Sequence, residues 1–192
     1  ATPDNLARWG VKVDIKCQID NCWAPSNLGH LLNNCKKSLE RYRFRHDSVL
    51  SHIVQKVVEN KETSMNVYAD LDGWKINGGT VPPDLVATGQ MPDIVLLDKQ
   101  KKLIVLLELT VPFDSSVKSF KSAEDRKTDR YDRLTLDLKA LGYRALNMPL
   151  EIGSRGVITE RNHTVLATIC GLCHIKNVKT FRRTLGKISL VA

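Results

Sequence analysis

Two apolar runs near the middle of the chain constrain its fold more than any other feature. The first is Met91-Pro92-Asp93-Ile94-Val95-Leu96-Leu97-Asp98, and the second extends from Leu103 to Pro112, with a short polar turn between them. Apolar runs with proline only at their ends are typical of strands buried on both faces, and the short turn favours antiparallel pairing. The sequence therefore predicts a central hairpin of core strands.

This hairpin carries two acids. Asp93 begins the first strand and Glu108 lies within the second, so pairing of the strands brings both to one end of the sheet. Two neighbouring carboxylates in an apolar setting repel each other and gain protons unless a cation holds them. Oxygen ligands suit Mg²⁺ or Mn²⁺, and we therefore predict a divalent metal site at Asp93 and Glu108. Asp84, after Pro83, is a rival first acid, but no strand-like run follows it.

A predicted helix follows, over residues 115–141. Helical periodicity places five residues on one face, which is expected to pack on the sheet: Phe120, Lys127, Tyr131, Leu134 and Leu138. An inward ammonium needs an anionic partner, which the two acids or a bound phosphate would supply to Lys127. The alternative is that Lys127 extends to the helix edge, with its stem on apolar neighbours. Tyr131 is expected to position Lys127 or to contact phosphate, whereas Arg130 is expected on the solvated side.

The remaining segments complete an α/β prediction. Asp47 is a candidate N-cap for a helix with an apolar stripe, and residues 61–90 are expected to hold one or two short strands. Residues 143–153 resemble another strand, and residues 159–192 resemble helix. A strand that returns after a helix forms a crossover, which predicts an α/β architecture with this strand beside the hairpin.

Four potential zinc ligands precede these segments, in the pattern Cys17-x4-Cys22-x7-His30-x4-Cys35. Three thiolates and an imidazole satisfy tetrahedral zinc, and a closed site of four ligands is structural rather than catalytic. The spacing predicts a knuckle with the first two ligands and a helix, capped by Ser26, with the last two. The alternative is unrelated buried and loop thiols. Farther along, Cys170-x2-Cys173-His174 matches a haem-attachment string, but two core thiols one helical turn apart explain it better.

A net charge of +8 makes a polyanion the natural partner. Residues 40–46 alternate basic and aromatic side chains; if extended, they would present Arg41, Arg43 and Arg45 to a phosphate backbone. They could equally form the last turn of the zinc helix. Arg155, in a tight turn, could bind phosphate or simply face solvent.

No run is long enough to span a bilayer and no signal-peptide pattern is present, so we expect an intracellular protein with no membrane partner.

Taken in order, these motifs resemble a known family. Asp93, Glu108-Leu109-Thr110 and Arg126-Lys127-x3-Tyr131 are similar to the restriction-like endonuclease of site-specific non-LTR retrotransposons, a branch of the PD-(D/E)XK nucleases. The Cys17, Cys22, His30, Cys35 string and Arg45-His46-Asp47 resemble the CCHC knuckle and Arg-His motif that precede it. Two departures stand out. Thr110 replaces the usual lysine, which fits the branch whose lysine lies in the next helix, and the second acid is Glu108 rather than Asp.

The resemblance implies a restriction-endonuclease-like mixed sheet core flanked by helices (47–192), after a small N-terminal zinc knuckle and basic linker (1–46). It implies a nuclear, Mg²⁺-dependent nickase with structural Zn²⁺. Its partner would be double-stranded DNA, cut to prime a covalently linked reverse transcriptase on its RNA. Asp93, Glu108, Lys127 and Tyr131 would be catalytic, and His46 would join the arginines as a DNA contact. Because the chain begins at Ala1, we expect it to be part of a longer protein.

Two other functions remain open from the sequence. The chain could be a DNA-binding zinc module with a vestigial nuclease site, which would bind DNA in a salt-sensitive manner without cutting it. It could also be a zinc domain that binds only proteins, which would show no salt-dependent DNA binding.

Overall fold

The computed structural model describes residues 1–114 and 130–192. Within these residues, five helices and four strands are arranged as a mixed α/β structure, which confirms the predicted class. The helices are α1 (Pro3–Arg8), α2 (Leu39–Asn60), α3 (residues 130–140), α4 (Glu160–Leu172) and α5 (Val178–Val191). The strands are β1 (Met65–Ala69), β2 (Ile94–Asp98), β3 (Leu103–Thr110) and β4 (Arg144–Glu151). None of the described helices is both long and apolar enough to cross a bilayer.

The four strands form one sheet in the order β1-β2-β3-β4. β1, β2 and β3 pair antiparallel, and β4 pairs parallel with β3, so the predicted hairpin and the predicted strand beside it are both confirmed. Every residue of β2 is buried, as is every residue of β3 except Thr110. Pro149 lies within β4 opposite Glu108, a position it can occupy because an edge strand tolerates a missing amide donor.

Helices cover both faces of the sheet. On one face Val105, Leu107 and Leu109 share a core with side chains of α2, α4 and α5. On the other face Ile104 and Leu106 share a second core with residues of α3. Because side chains alternate along a strand, Glu108 and Thr110 face the α3 side, as does Asp93 immediately before β2.

Helix α2 differs from the prediction in its first turns. It begins at Leu39 rather than at Asp47, so residues 40–46 are neither extended nor the end of the zinc helix. No glycine or proline interrupts the chain from Leu39 to Asn60, and nothing local would end a helix there. The apolar stripe of α2 is buried as predicted, apart from Val58 at its edge. The predicted boundary between residues 46 and 47 lies inside this helix.

Helix α5 meets the loop after β4 through two glycines. A Cβ atom on Gly156 would lie 2.5 Å from the carbonyl oxygen of Gly186, and one on Gly186 would lie 2.8 Å from that of Gly156. Gly156 also has a φ of +82°, a backbone conformation that side chains disfavour. Ser189 donates a hydrogen bond of 2.8 Å to the carbonyl of Gly153 from the same helix. The helix and the loop are therefore in direct backbone contact.

We predict that Gly156→Ala lowers the free energy of unfolding by roughly 2–5 kcal/mol, because left-handed strain and overpacking add. Urea denaturation followed by circular dichroism measures this change. Gly171→Ala is the control: its Cβ would meet nothing within 4 Å in α4, so stability should stay the same or rise. Equal midpoints for wild type and Gly156→Ala would contradict the backbone contact.

Candidate functional site

The two predicted acids are held together by backbone amides from each other's strand. The amide of Asp93 donates to Oε2 of Glu108 at 3.2 Å, and the amide of Leu109 donates to Oδ2 of Asp93 at 2.7 Å. Asp93 is 8% exposed and Glu108 is 2% exposed. The hairpin thus brings both carboxylates to one end of the sheet, as the spacing predicts; their catalytic and metal-binding roles stay predictions.

Asp93 has an imidazole partner from α2. Nε2 of His46 lies 3.3 Å from Oδ2 of Asp93, and Nδ1 lies 2.9 Å from Oδ1 of Asp47. Burial alone would lower the pKa of His46, but hydrogen bonds and charge from the two carboxylates outweigh it and raise the pKa to about 9. His46 is therefore a cation beside Asp93. The sequence motif suggested only a DNA contact for this residue, since nothing local links it to Asp93.

Glu108 has a guanidinium partner from α3. Nη1 of Arg130 lies 3.4 Å from Oε1 of Glu108, and the guanidinium stacks 5.4 Å from the centre of the Tyr131 ring. Arg130 lies on the exposed side of α3, as expected, with its side chain 54% exposed, but it also contacts Glu108. A long side chain at the edge of the helix reaches the acid across the tyrosine. Lys127, the predicted cation, lies outside the described residues.

Tyr131 is fully buried, as are Leu134 and Leu138 on the same face of α3, in agreement with the predicted periodicity. Its hydroxyl donates to the carbonyl of Met91 at 3.1 Å. Burial, and then the charge of Glu108, raises the pKa of the phenol, so Tyr131 is a neutral donor. Its ring has no exposed surface, and its roles in positioning Lys127 or contacting phosphate stay predictions. The hydrogen bond to Met91 ties α3 to the segment that leads into Asp93.

Two further polar residues at this end of the sheet were given no role from the sequence, where Thr110 entered only as the residue in place of the usual lysine. Oγ1 of Thr110 is buried and has no hydrogen-bond partner among the described residues, and it faces the same side of β3 as Glu108. Glu151 pairs with Thr110 on β4 and is 2% exposed; burial raises the pKa of its carboxyl. The spacing of two between Glu108 and Thr110 was the available signal for Thr110. For Glu151, it was an acid at the end of a strand.

The oxygen atoms at this edge fit a hard divalent cation. Asp93 and Glu108 supply two carboxylates, and the unpaired Thr110 hydroxyl supplies a third oxygen nearby. Next to His46, a cleft of about 760 Å³ is lined by residues that include Arg43, Lys75 and Met91 and three acids, Asp47, Asp70 and Asp72. The rival acid Asp84 is not part of this arrangement, because its exposed carboxylate pairs with Lys99 at 2.7 Å.

The four predicted zinc ligands do converge. The ligand atoms of Cys17, Cys22, His30 and Cys35 all lie within 4.8 Å of one another. Among the described residues, these four side chains form a cluster that could hold a metal ion. Sγ of Cys17 lies 4.0 Å from Sγ of Cys35, and Sγ of Cys22 lies 3.4 Å from Nε2 of His30. Tetrahedral zinc requires roughly 3.8 Å between sulfurs and roughly 3.6 Å between sulfur and nitrogen. These four side chains could hold such an ion.

The local structure around this cluster refines the prediction. Burial raises the pKa of the Cys17 thiol; at Cys35, hydrogen bonding, first from the Lys37 backbone amide, outweighs burial and lowers the pKa. The turn carrying His30 is capped by Asn27 rather than Ser26, through a 2.8 Å bond from the His30 amide to Oδ1 of Asn27.

The cluster is docked to the rest of the protein by polar side chains. Asn33 donates to the carbonyl of Val111 at 2.7 Å, directly after β3. Arg45 donates to the carbonyl of Leu32 at 2.8 Å and is 3% exposed. The predicted DNA contact at Arg45 is therefore wrong, because the helical start of α2 turns this side chain inward. Arg41 and Arg43 are exposed, and their DNA contacts stay predictions.

Two other predictions concern a side chain in the loop after β4 and two thiols in the core. Arg155 is not simply solvated: its Nε lies 2.9 Å from Oδ1 of the buried Asp114, and its guanidinium lies 5.4 Å from the centre of the Phe113 ring. Cys170 and Cys173 are buried in the core, which confirms their packing role. Burial raises the pKa of these thiols to about 11 and about 12.

We predict that the purified chain binds about one zinc ion, and that Cys35→Ser loses it because three ligands hold the ion more weakly. Elemental analysis after dialysis measures the metal content. Cys170→Ala is the matched control, since this thiol lies in the apolar core, and it should keep the metal. Equal zinc content in Cys35→Ser and wild type would contradict a four-ligand site.

Comparison with protein-family models gives no match, and neither does comparison with curated protein sequences. Among solved structures, the chain is similar to an N-terminal domain of a reptarenavirus L protein, at 16% identity and a TM-score of 0.41. The likeness covers 82% of this chain and 79% of that one. A similarity of this size assigns neither a fold family nor an activity to this chain.

Proposed function

We propose that this chain is a metal-dependent DNA endonuclease that nicks double-stranded DNA. The observation that supports this most is the pair of buried carboxylates, Asp93 and Glu108, which exchange backbone amide hydrogen bonds at the end of the sheet. A buried pair of this kind costs free energy unless cations compensate it, and such sites are frequently functional. Its oxygen ligands fit Mg²⁺ or Mn²⁺.

Asp93 and Glu108 would hold the cation, with the Thr110 hydroxyl facing the same space. When bound, Mg²⁺ would polarise the scissile phosphate and lower the pKa of the attacking water. Arg130, next to Glu108, is placed to stabilise negative charge that develops on the phosphate. Lys127 would stabilise the same developing charge, as the sequence predicts. His46 would hold Asp93 in position from α2.

The resemblance of the ordered motifs extends this proposal. It favours a restriction-like endonuclease of the non-LTR retrotransposon type, in the nucleus, linked covalently to a reverse transcriptase and its RNA. The converging cluster of Cys17, Cys22, His30 and Cys35 supports structural zinc in a knuckle before the nuclease core. In this scheme Arg41 and Arg43, exposed on the first turns of α2, contact the phosphate backbone.

A second function is favoured by one observation. His46 and Arg130 already place a cationic side chain against each of the two acids. In a DNA-binding module with a vestigial site, these ion pairs would simply stabilise the fold. Such a module would bind duplex DNA with strong salt dependence and release no cut product at any Mg²⁺ concentration. Incubating supercoiled plasmid with the wild-type chain and increasing Mg²⁺ separates the two functions.

We predict that Glu108→Gln reduces Mg²⁺-dependent nicking by roughly 100-fold or more, because the neutral amide loses the charge that holds the cation. Conversion of supercoiled to open-circular plasmid measures the rate. Glutamine keeps the shape and one acceptor, so the circular dichroism spectrum and duplex affinity should be retained. Asp84→Asn, a surface acid paired with Lys99, is the control and should nick normally. Full nicking by Glu108→Gln would refute the assignment of this acid.

We predict that Arg130→Gln slows nicking by roughly 10- to 100-fold with little change in duplex affinity, because its charge acts mainly on the developing phosphate charge. The same plasmid assay, with saturating enzyme, gives the rate. Arg133→Gln is matched in chemistry and lies on the same helix, where Arg133 pairs with Asp137 at 3.2 Å. It should nick like wild type. Equal nicking rates for Arg130→Gln and Arg133→Gln would show that Arg130 has no role in catalysis.

A further inference from the structure

A basic groove lies between α5 and the loop that follows β4. It encloses about 560 Å³ and is lined by Arg155, His163, Arg182, Arg183 and Lys187, with a smaller apolar part. Its walls come from the loop after β4, from His163 at the start of α4 and from α5. Among the described residues, no acidic side chain lines it. The groove is therefore a concave surface whose polar groups are cationic or can become so.

The charge of this region is not balanced. Residues 160–192 contain six Lys and Arg and one acid, Glu160, whose carboxylate lies 3.1 Å from Nδ1 of His163, in a chain whose net charge is +8. Within the described parts of the chain, Arg182, Arg183 and Lys187 make no ion pair, whereas Lys75, Lys99 and Lys101 each pair with an acid. Arg183 and Lys187 lie one helical turn apart, and like charges at this spacing destabilise a helix. An anionic ligand would relieve this repulsion.

The walls of the groove are held by backbone contacts. Gly156 and Gly186 approach so closely that neither accommodates a Cβ atom, and Ser189 bonds to the Gly153 carbonyl at 2.8 Å. Arg155 is oriented by Asp114, whose carboxylate and carbonyl both accept from its guanidinium. A ligand therefore meets a preformed surface, and little ordering free energy opposes binding.

The groove lies at the same end of the sheet as the two acids, although α5 packs on the face opposite the one that Asp93 and Glu108 share with α3. Beyond the paired residues Glu108 and Pro149, the two chains stay together: Ile152 donates to the Thr110 carbonyl at 3.0 Å and Ser154 to the Pro112 carbonyl at 2.9 Å. Arg155 follows directly. At about 3.3 Å per residue, Arg155 is at most about 20 Å from the strand position of Glu108. Duplex DNA carries one charge per about 1.7 Å along its axis, so one duplex presents phosphates at both places.

We propose that this groove binds the phosphate backbone of the duplex whose scissile bond lies at Asp93 and Glu108. The inference rests on the proposed nuclease function and adds a second, non-catalytic contact to it. Arg182, Arg183 and Lys187 neutralise phosphates several nucleotides from the cut, and Arg155 lies at the end of the groove nearer the acids. This contact sets the register of the duplex on the protein without reading its sequence.

The test compares two double variants of equal charge. Arg183→Gln/Lys187→Gln removes one Arg and one Lys from the groove, whereas Lys139→Gln/Arg144→Gln removes the same pair at the opposite end of β4, where both side chains are exposed. Affinity for a labelled DNA duplex is measured without Mg²⁺ over a range of KCl concentrations. The groove variant should bind roughly 10-fold or more weakly, and its salt slope should fall by roughly 1.8. The control should change less than about 2-fold, as an uncontacted surface does.

Each outcome decides the proposal. Equal losses in both variants mean that only the overall charge matters, and wild-type affinity in the groove variant removes the groove from the interface. Either result overturns the inference while wild-type plasmid nicking leaves the nuclease function intact. Loss of binding to single-stranded RNA with duplex affinity unchanged makes RNA the ligand and also overturns it. A wild-type chain that neither binds nor nicks DNA refutes both proposals. If the double variant unfolds, Lys187→Gln alone supplies the comparison, with an expected slope change of roughly 0.9.

Discussion

The central interaction of this protein is the exchange of amide hydrogen bonds between Asp93 and the β3 strand. Each carboxylate accepts a hydrogen bond from a backbone amide of the other's strand. The register of the hairpin therefore determines where the two acids lie. A shift of one residue would turn Glu108 into the apolar core shared with α2. Amide donors alone do not offset the cost of burying two carboxylates. His46 on α2 and Arg130 on α3 supply the remaining compensation, because each contacts one of the acids.

Much of the fold follows from local patterns. The hairpin, the returning strand and the buried side of α3 were predicted because apolar periodicity reports which side chains face a core, whatever that core turns out to be. The Cys17–Cys35 cluster was predicted because four potential zinc ligands, three cysteines and one histidine, lie close together in the sequence. The prediction failed where contacts between residues far apart in the sequence determine the local structure. Leu39 begins α2 because nothing interrupts the helix and because Arg45 finds a partner at Leu32, and neither partner nor start has a sequence signal.

The composition of the acidic site shows a similar limit. Periodicity separates inward from outward positions on α3, but it does not report how far a flexible side chain extends, and Arg130 reaches Glu108 from the edge of the helix. Tyr131 was placed on the correct face, but its hydrogen bond to the Met91 carbonyl was not predicted. His46 was singled out only through a motif, since Asp93, which it contacts, lies 47 positions farther along the chain. The sequence thus predicted that the two acids lie together, but not which side chains contact them.

Helix α2 also connects the cysteine cluster with the pair of buried acids. Arg45 holds the carbonyl of Leu32 in the cysteine cluster's turn, and His46, the next residue, holds the carboxylate of Asp93. Consecutive residues of a regular helix have no joint between them. The cysteine cluster and the acids are therefore attached to the same rigid helix. A displacement of the turn at Leu32 would also displace the His46 imidazole that contacts Asp93. The small N-terminal module is in this sense a part of the acidic site's framework rather than an appendage to it.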